Sequence, residues 1–132
     1  MGPGVKVLLD TCTLLWLTQE PEKLSTTCRN MIDDPSTILL LSHASVWEIV
    51  LKIQTGKFSF PLPLRKWLDE QKSVWAFEYL PINLEHLFRT GEIEKHHTDP
   101  FDRLLIVQAM TENIGILTPD EFISKYPVHS IW

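Results

Sequence analysis

Short apolar runs alternate with stretches of helical spacing along the chain. Val5–Leu9 is a β-rich run that ends at Asp10, and Thr11–Leu17 continues with helical spacing. By the same patterns we predict helix 24–34, strand 37–41, helix 46–52 ended by Gly56, helix 64–72, strand 77–82, helix 84–91, a long helix opened by Asp99-Pro100, strand 114–118, a short helix 120–126 and a strand or extended tail 128–132. This alternation predicts an α/β fold with a central parallel sheet flanked by helices in three layers.

The length of the chain fits one domain. Its 132 residues are 44% apolar, enough for a substantial core. The stretch Leu104–Met110 is apolar except for Gln108, so that the long helix is expected to be mostly buried. We expect residues 5–132 to form a single domain and residues 1–4 to be an N-terminal extension.

The charge balance gives no support for a broad basic surface. Twelve Lys and Arg face 17 Asp and Glu, a net charge of −5, so binding a polyanion would need a local basic rim or metal ions. Cys12 and Cys28 form no CxxC motif and are expected to be small buried hydrophobes in a reducing cytoplasm. Neither a signal segment nor a membrane-spanning run is visible, and no membrane contact is expected.

Acidic residues mark one edge of the predicted sheet. They follow strands or begin the helices after them, and they are Asp10, Glu48, Asp99, Asp102 and Asp120. Ligands of open parallel sheets bind beyond the carboxyl ends of the strands, where these side chains are expected to meet. Crowded carboxylates repel one another unless a cation shares the space, and oxygen ligands select hard ions. The pattern therefore predicts a Mg²⁺ or Mn²⁺ site.

Helix capping is the alternative explanation for each acid taken singly. Asp10 is placed to cap the first helix, Asp99 to cap the long one with Pro100 at its first position, and Asp120 to begin the last. Ser45-Val46-Trp47-Glu48 has the form of a capping box. Capping alone does not explain why acids from separate segments converge on one edge of the sheet.

Other motifs are weaker. A haloacid-type phosphatase needs a second acid where Cys12 stands, and the chain has neither a Gly-rich phosphate loop nor a Gly-x-Ser-x-Gly motif. The adjacent His96 and His97 diverge in direction, so a solvated loop or a phosphate contact is favoured over a metal pair. Three tryptophans lie on apolar helix faces and are expected in the core: Trp16, Trp47 and Trp67.

Six segments of the chain, in this order and spacing, carry a family resemblance. They are Leu8-Leu9-Asp10-Thr11 with Leu14-Leu15-Trp16, Ser42-His43-Ala44-Ser45-Val46-Trp47-Glu48-Ile49, Gly56-Lys57, Leu80-Pro81-Ile82, His96-His97-Thr98-Asp99-Pro100-Phe101-Asp102-Arg103-Leu104-Leu105-Ile106, and Leu117-Thr118-Pro119-Asp120 with Phe122. On these residues the chain from Val5 to Trp132 resembles the PIN-domain nucleases, specifically the VapC-type toxins of bacterial toxin–antitoxin pairs.

The resemblance implies a PIN-like three-layer fold and a role for each acid. Asp10, Glu48 and Asp102 match the three central acids of the family and Asp120 the more variable fourth, while Asp99 is an extra acid that is a ligand, a group behind the ligands or only a cap. All five are expected at the metal, and the first four in catalysis.

The implied activity is that of a Mg²⁺- or Mn²⁺-dependent endoribonuclease. It cleaves structured RNA, such as tRNA or rRNA, and leaves 5′ phosphate and 3′ hydroxyl ends. A homodimer silenced by a VapB-like antitoxin is implied as well. Basic side chains are expected to form a rim around the site: Lys52, Lys57, Lys95 and Arg103.

Two other functions remain open from the sequence. One is a catalytically inactive PIN-like or receiver-like module that uses the acidic edge to bind a regulatory ion or partner. The other is a metal-dependent phosphatase or DNA nuclease that uses the same carboxylates.

Overall fold

The computed structural model describes residues 4–132, so the predicted extension at residues 1–4 lies outside the description except for Gly4. Its helices and strands are, in chain order, β1 (Lys6–Leu9), α1 (Thr11–Gln19), α2 (Thr26–Asp33), β2 (Ile38–Ser42), α3 (His43–Gln54), α4 (Leu64–Trp75), β3 (Glu78–Leu80), α5 (Leu84–Thr90), α6 (Pro100–Glu112), β4 (Gly115–Leu117) and β5 (Ser130–Ile131). Short 3₁₀ turns lie at Pro21–Lys23 and Ile123–Lys125. The predicted alternation of strand and helix is confirmed.

One parallel sheet organises the domain. Its five strands lie in the order β3-β2-β1-β4-β5, and every pair is parallel. The chain builds outward from β1 through β2 to β3 and then returns to the other side of β1 with β4. The strand order therefore reverses between β1 and β4, which is the position where open α/β sheets form their ligand crevice.

Both faces of the sheet are buried, as the continuous apolar strands predict. Val7 and Leu9 point into one core, shared with α1 and α2, whereas Leu8 points into the other, shared with α6 and β4. Helix α6 is buried along Leu104–Ala109, which confirms the expectation from its apolar sequence. None of the helices among residues 4–132 is long and apolar enough to cross a membrane.

Helix α3 begins earlier than its sequence pattern predicts. Its N-cap is Ser42, the last residue of β2, whose Oγ accepts the Ala44 N–H at 2.9 Å and donates to Gln108 Oε1. The predicted capping box at Ser45 is therefore wrong, since Ser45 lies inside the helix with a buried hydroxyl that has no partner among the described residues. Because the last residue of β2 is also the N-cap of α3, no turn residues separate the strand from the helix in the sequence.

Two further predictions are wrong in part. Residues 120–126 form a 3₁₀ turn at Ile123–Lys125, because Asp120 Oδ1 accepts the Phe122 N–H at 2.8 Å and holds the segment in a side-chain turn. Trp47 was expected in the core but is 53% exposed and packs its edge against Phe101. Helical spacing alone does not distinguish a core-facing position from one at the edge of a buried face.

Candidate metal centre

Asp10 stands at the reversal point of the sheet, directly after β1. Its Oδ1 accepts the Thr13 N–H at 2.7 Å and so caps α1, as predicted, while its Oδ2 accepts a hydrogen bond from the Thr118 hydroxyl. The side chain is buried, and this burial raises the pKa of Asp10 although both hydrogen bonds lower it. The Asp10 carboxylate therefore both caps α1 and belongs to the site.

The start of α6 brings two more acids to this edge. Asp99 Oδ1 accepts the N–H groups of Phe101 and Asp102 at 2.8 and 3.1 Å, and Pro100 occupies the first helical position. The predicted cap is confirmed, and it fixes Asp102 on the first turn. Burial, then the charge of Asp99, raises the pKa of Asp102 to about 7, against a lowering by His97. The carboxylate of Asp102 is therefore held where negative charge is poorly compensated.

Glu48 reaches the same place from α3. Its side chain is 8% exposed, and Oε2 lies 2.7 Å from Nζ of Lys52, its partner one turn on. The two side chains form an ion pair of i,i+4 spacing on α3. Because Ser45 is not the N-cap of α3, Glu48 takes no part in a capping box. Helix capping therefore does not explain why Glu48 is buried at the edge of the sheet.

Asp120, the weakest candidate from sequence, is held by three groups. Its backbone N–H donates to Thr118 Oγ1 at 3.0 Å, its Oδ1 accepts from Phe122, and its Oδ2 lies 3.0 Å from His97 Nε2. These contacts orient the carboxylate toward Asp102 across the reversal point. Asp120 thus joins the acids from β1 and α6 rather than only beginning a helix.

All five predicted acids line one cleft of about 470 Å³, here called the acidic cleft. Its other lining residues are Thr11, Cys12, Leu15, Trp16, Lys52, Phe58 and Pro119. Apolar and aromatic side chains therefore line the cleft together with the carboxylates. The five acids therefore converge on one cleft, as the topology of the sheet predicts.

The prediction of a solvated loop is wrong for His97, whereas a phosphate contact by this side chain stays a prediction. Its side chain is only 16% exposed, and Nε2 lies 3.0 Å from both Asp102 Oδ2 and Asp120 Oδ2. His96 diverges from it, as expected, and contacts the exposed Glu94. The missed signal is the position of His97 two residues before the cap of α6, which turns its ring toward the first turn of that helix.

The predicted basic rim is only partly present. Arg103 is not a free cation at the rim, because its guanidinium donates to the carbonyl oxygens of Thr90, Ile93, Glu94 and His97. Lys52 lines the acidic cleft but is paired with Glu48, and Lys57 and Lys95 are exposed.

The cysteines are both free thiols, and they differ in position. Cys28 is fully buried, as predicted, whereas Cys12 is half-buried and lines the acidic cleft. Burial, then the charge of Asp10, raises the pKa of Cys12 to about 11, so its thiol stays protonated near neutral pH. Five carboxylates supply most of the donor atoms that the cleft offers to a cation.

This donor set fits a hard divalent cation. Asp10, Glu48 and Asp102 are buried or half-buried acids in one cleft, and the raised pKa values of Asp10 and Asp102 record burial and mutual repulsion that a cation would offset. Oxygen-rich ligation without thiolate is typical of Mg²⁺ and Mn²⁺ sites.

Comparison with known proteins agrees with this architecture. The PIN domain family model matches residues 7–128. Among solved structures, the chain is similar to VapBC2 from Rickettsia felis, which was solved bound to a DNA fragment from the VapBC2 promoter. The two chains are 12% identical, the TM-score is 0.66, and the match covers 96% of this chain and 97% of that chain. A comparison with curated protein sequences finds no match. By the extent of the family match and by its fold, this chain belongs to the PIN-domain family.

Proposed function

We propose that this protein is a VapC-type toxin, an endoribonuclease that hydrolyses phosphodiester bonds of structured RNA with Mg²⁺ or Mn²⁺ held in the acidic cleft. One observation carries the proposal: in a PIN domain, all five acids predicted from sequence line a single cleft where the strand order reverses. The similarity to a VapBC2 structure supports the toxin assignment.

Each acid of the cleft has a proposed role toward the ion. Asp10, Glu48, Asp102 and Asp120 would hold the ion, because each presents a carboxylate to the cleft from a different element. The bound ion supplies activation of water and neutralisation of the scissile phosphate. Asp99 caps α6 with Oδ1, as Asp10 caps α1, and it lines the cleft beside Asp102, so it is kept as a further candidate ligand.

The shape of the cleft suits a single-stranded segment. Trp16, Leu15 and Phe58 line the cleft beside the carboxylates and form an apolar wall, a surface on which an unstacked base of an RNA loop can rest. The exposed Lys57 lies next to Phe58 and is placed to meet the phosphate backbone. This arrangement favours loops of tRNA or rRNA over continuous duplex.

We also propose a homodimer and a VapB-like antitoxin partner in the cytoplasm. Helix α5 exposes Leu84, Leu87 and Phe88 at the spacing of one helical face, which fits contact with a second copy. The apolar wall of the cleft fits an inserted antitoxin segment. Two free cysteines agree with a reducing compartment.

The decisive experiment offers the purified protein total RNA, single-stranded DNA and a generic phosphate ester, with and without Mn²⁺. We expect discrete RNA fragments with 5′ phosphate ends only when metal is present, and none from Asp102→Asn. Cleavage of DNA or of the ester alone would favour another phosphodiesterase activity. No cleavage of any substrate by a folded, metal-loaded protein would favour a binding module.

A further inference from the structure

The His97 ring is held at both of its nitrogens. Nδ1 accepts the backbone N–H of Asp99 at 3.2 Å, while Nε2 lies 3.0 Å from Asp102 Oδ2 and 3.0 Å from Asp120 Oδ2. The Asp99 amide is a donor only, so Nδ1 must be unprotonated and the ring proton resides on Nε2. That nitrogen hydrogen-bonds Asp120 Oδ2 and lies at the same distance from Asp102 Oδ2, so it reaches two carboxylates from different segments of the chain.

This tautomer decides between two roles for the ring. His97, Asp102 and Asp120 place their ligand atoms within 4.8 Å of one another, a spacing that also fits a three-residue metal site. A histidine binds a metal through an unprotonated nitrogen. The nitrogen that faces the carboxylates is Nε2, and the hydrogen bond from the Asp99 N–H to Nδ1 leaves the ring proton on Nε2. The geometry favours a hydrogen-bond donor over a ligand.

The position of the ring leads to the same assignment. Asp102 and Asp120 line the acidic cleft, whereas His97 is not among the described residues that line it. The imidazole therefore contacts the two carboxylates without forming part of the cleft surface. From there it can orient their oxygens without occupying the space of the ion.

The backbone of His97 is fixed as firmly as its ring. Its N–H donates to the Tyr126 hydroxyl at 2.8 Å, and its carbonyl accepts from the Arg103 guanidinium at 3.1 Å. Tyr126 and Arg103 also bind the carbonyl of Glu94 in the same loop. Two hydrogen bonds therefore hold the His97 backbone and two more hold Glu94, so the loop that carries the ring is fixed at both residues.

We propose that His97 is a positioning residue that aligns Asp102 and Asp120 for the divalent cation through its Nε2–H. The inference rests on the proposed function only in taking a divalent cation as the ligand of the acidic cleft. Groups that orient metal ligands in this way typically change metal affinity by about 10–100-fold when removed.

Two substitutions separate the donor from the rest of the side chain. Gln carries an N–H donor the same number of bonds from Cα as His Nε2, so His97→Gln keeps the donor. Asn offers an acceptor near the position of Nδ1 but no group that reaches the carboxylates, so His97→Asn loses it. His96→Asn is the matched control, because His96 is the exposed neighbour that contacts only Glu94 among these acids.

The measurement is Mn²⁺ binding by calorimetry without RNA, together with electron spin-echo spectroscopy of the Mn²⁺-loaded protein. We expect His97→Asn to weaken Mn²⁺ binding by about 10–100-fold and His97→Gln to stay within about threefold of wild type. The control should bind as wild type does. No coupling of Mn²⁺ to a histidine ¹⁴N is expected.

Two results would overturn the proposal: a His97→Asn variant that binds Mn²⁺ as wild type does, or a ¹⁴N coupling that is lost with His97. The latter would make His97 a ligand. Failure of the ribonuclease proposal has a different signature, namely a wild-type protein that binds Mn²⁺ normally but cleaves no RNA. A wild-type protein that binds no Mn²⁺ would overturn both.

Discussion

The Thr118 hydroxyl joins Asp10 to Asp120. It donates to Asp10 Oδ2 and accepts the backbone N–H of Asp120 at 3.0 Å. The register of the sheet explains the first contact, because Leu9 pairs with Leu117 and the next residues of the two strands are Asp10 and Thr118. One buried hydroxyl thus positions the acid after β1 relative to the acid after β4.

Thr118→Val should weaken metal binding and folding together. Valine has nearly the same shape but removes the donor to Asp10 Oδ2 and the acceptor of the Asp120 N–H, at a cost of about 1–3 kcal/mol in the free energy of unfolding. Thr118→Ser keeps the hydroxyl and is the control. Urea unfolding and Mn²⁺ titration of both variants test this expectation, and equal Mn²⁺ affinities would show that the hydroxyl does not organise the site.

Asp102→Asn should make the metal-free protein less sensitive to pH. Unfolded Asp102 releases its proton near its ordinary pKa of 3.8, whereas the folded carboxyl, with a pKa of about 7, retains it. The unfolded state therefore binds fewer protons in this range, and the free energy of unfolding falls as pH rises from about 4 to about 7. Asparagine removes this contribution.

Urea unfolding at several pH values after chelation and dialysis measures the effect. We expect wild type to lose stability toward pH 7 and Asp102→Asn to lose less and to be at least as stable there. An unchanged slope in the variant would mean that Asp102 ionises normally in the folded protein.

Added Mn²⁺ should raise the melting temperature of wild type by mass action. The increase should be reduced in Asp10→Asn, because that variant removes one ligand charge from the cleft while its Oδ1 still caps α1. Asp69→Asn, an exposed position on α4, is the control and should respond as wild type does. Thermal melts over a series of Mn²⁺ concentrations suffice; a full response in Asp10→Asn would place the ion elsewhere.

Glu48→Gln should abolish most RNA cleavage with little change in folding. A metal ligand needs the negative charge that glutamine lacks, whereas loss of the partly exposed pair with Lys52 costs only about 0–1 kcal/mol. Glu85→Gln breaks an ion pair of the same i,i+4 geometry on α5 and is the matched control. Cleavage by Glu48→Gln at the wild-type rate under saturating Mn²⁺ would exclude Glu48 from the site chemistry.

Ser42→Ala and Ser45→Ala should have opposite effects on stability. Ser42 caps α3, so its loss should cost about 0.5–2 kcal/mol. Ser45 buries a hydroxyl without a partner among residues 4–132, so alanine should be neutral or stabilising there. Chemical unfolding of the two variants checks this contrast, and a larger loss for Ser45→Ala would restore the cap predicted from sequence.

The sequence alone predicts the sheet and the five acids because both follow from local rules. Apolar runs identify strands, and the acids fall where strands end or helices begin, so parallel topology brings them to one edge. The caps at Asp10 and Asp99 are equally local and were predicted correctly. These features need only neighbouring residues.

The failures concern contacts between distant segments. The roles of His97 and Arg103 depend on the folding of loop 91–99 against Tyr126, and no pattern within that polar loop indicates it. Trp47 has the spacing of a core residue, yet it lies at the edge of the buried face of α3 beside Phe101. Burial of a single side chain depends on its neighbours in space, which local patterns do not specify.

The return of the chain to β1 has a consequence during synthesis. Asp10 and Thr118 are separated by 108 positions, so the hydrogen bond between them forms only after almost the whole domain has left the ribosome. A nascent chain that ends before β4 carries Asp10, Glu48 and Asp102 but has no Thr118 to hold Asp10 and no Asp120. The acidic cleft is therefore completed only when β4 and Asp120 have been added to the chain, and a polypeptide interrupted before β4 lacks part of it.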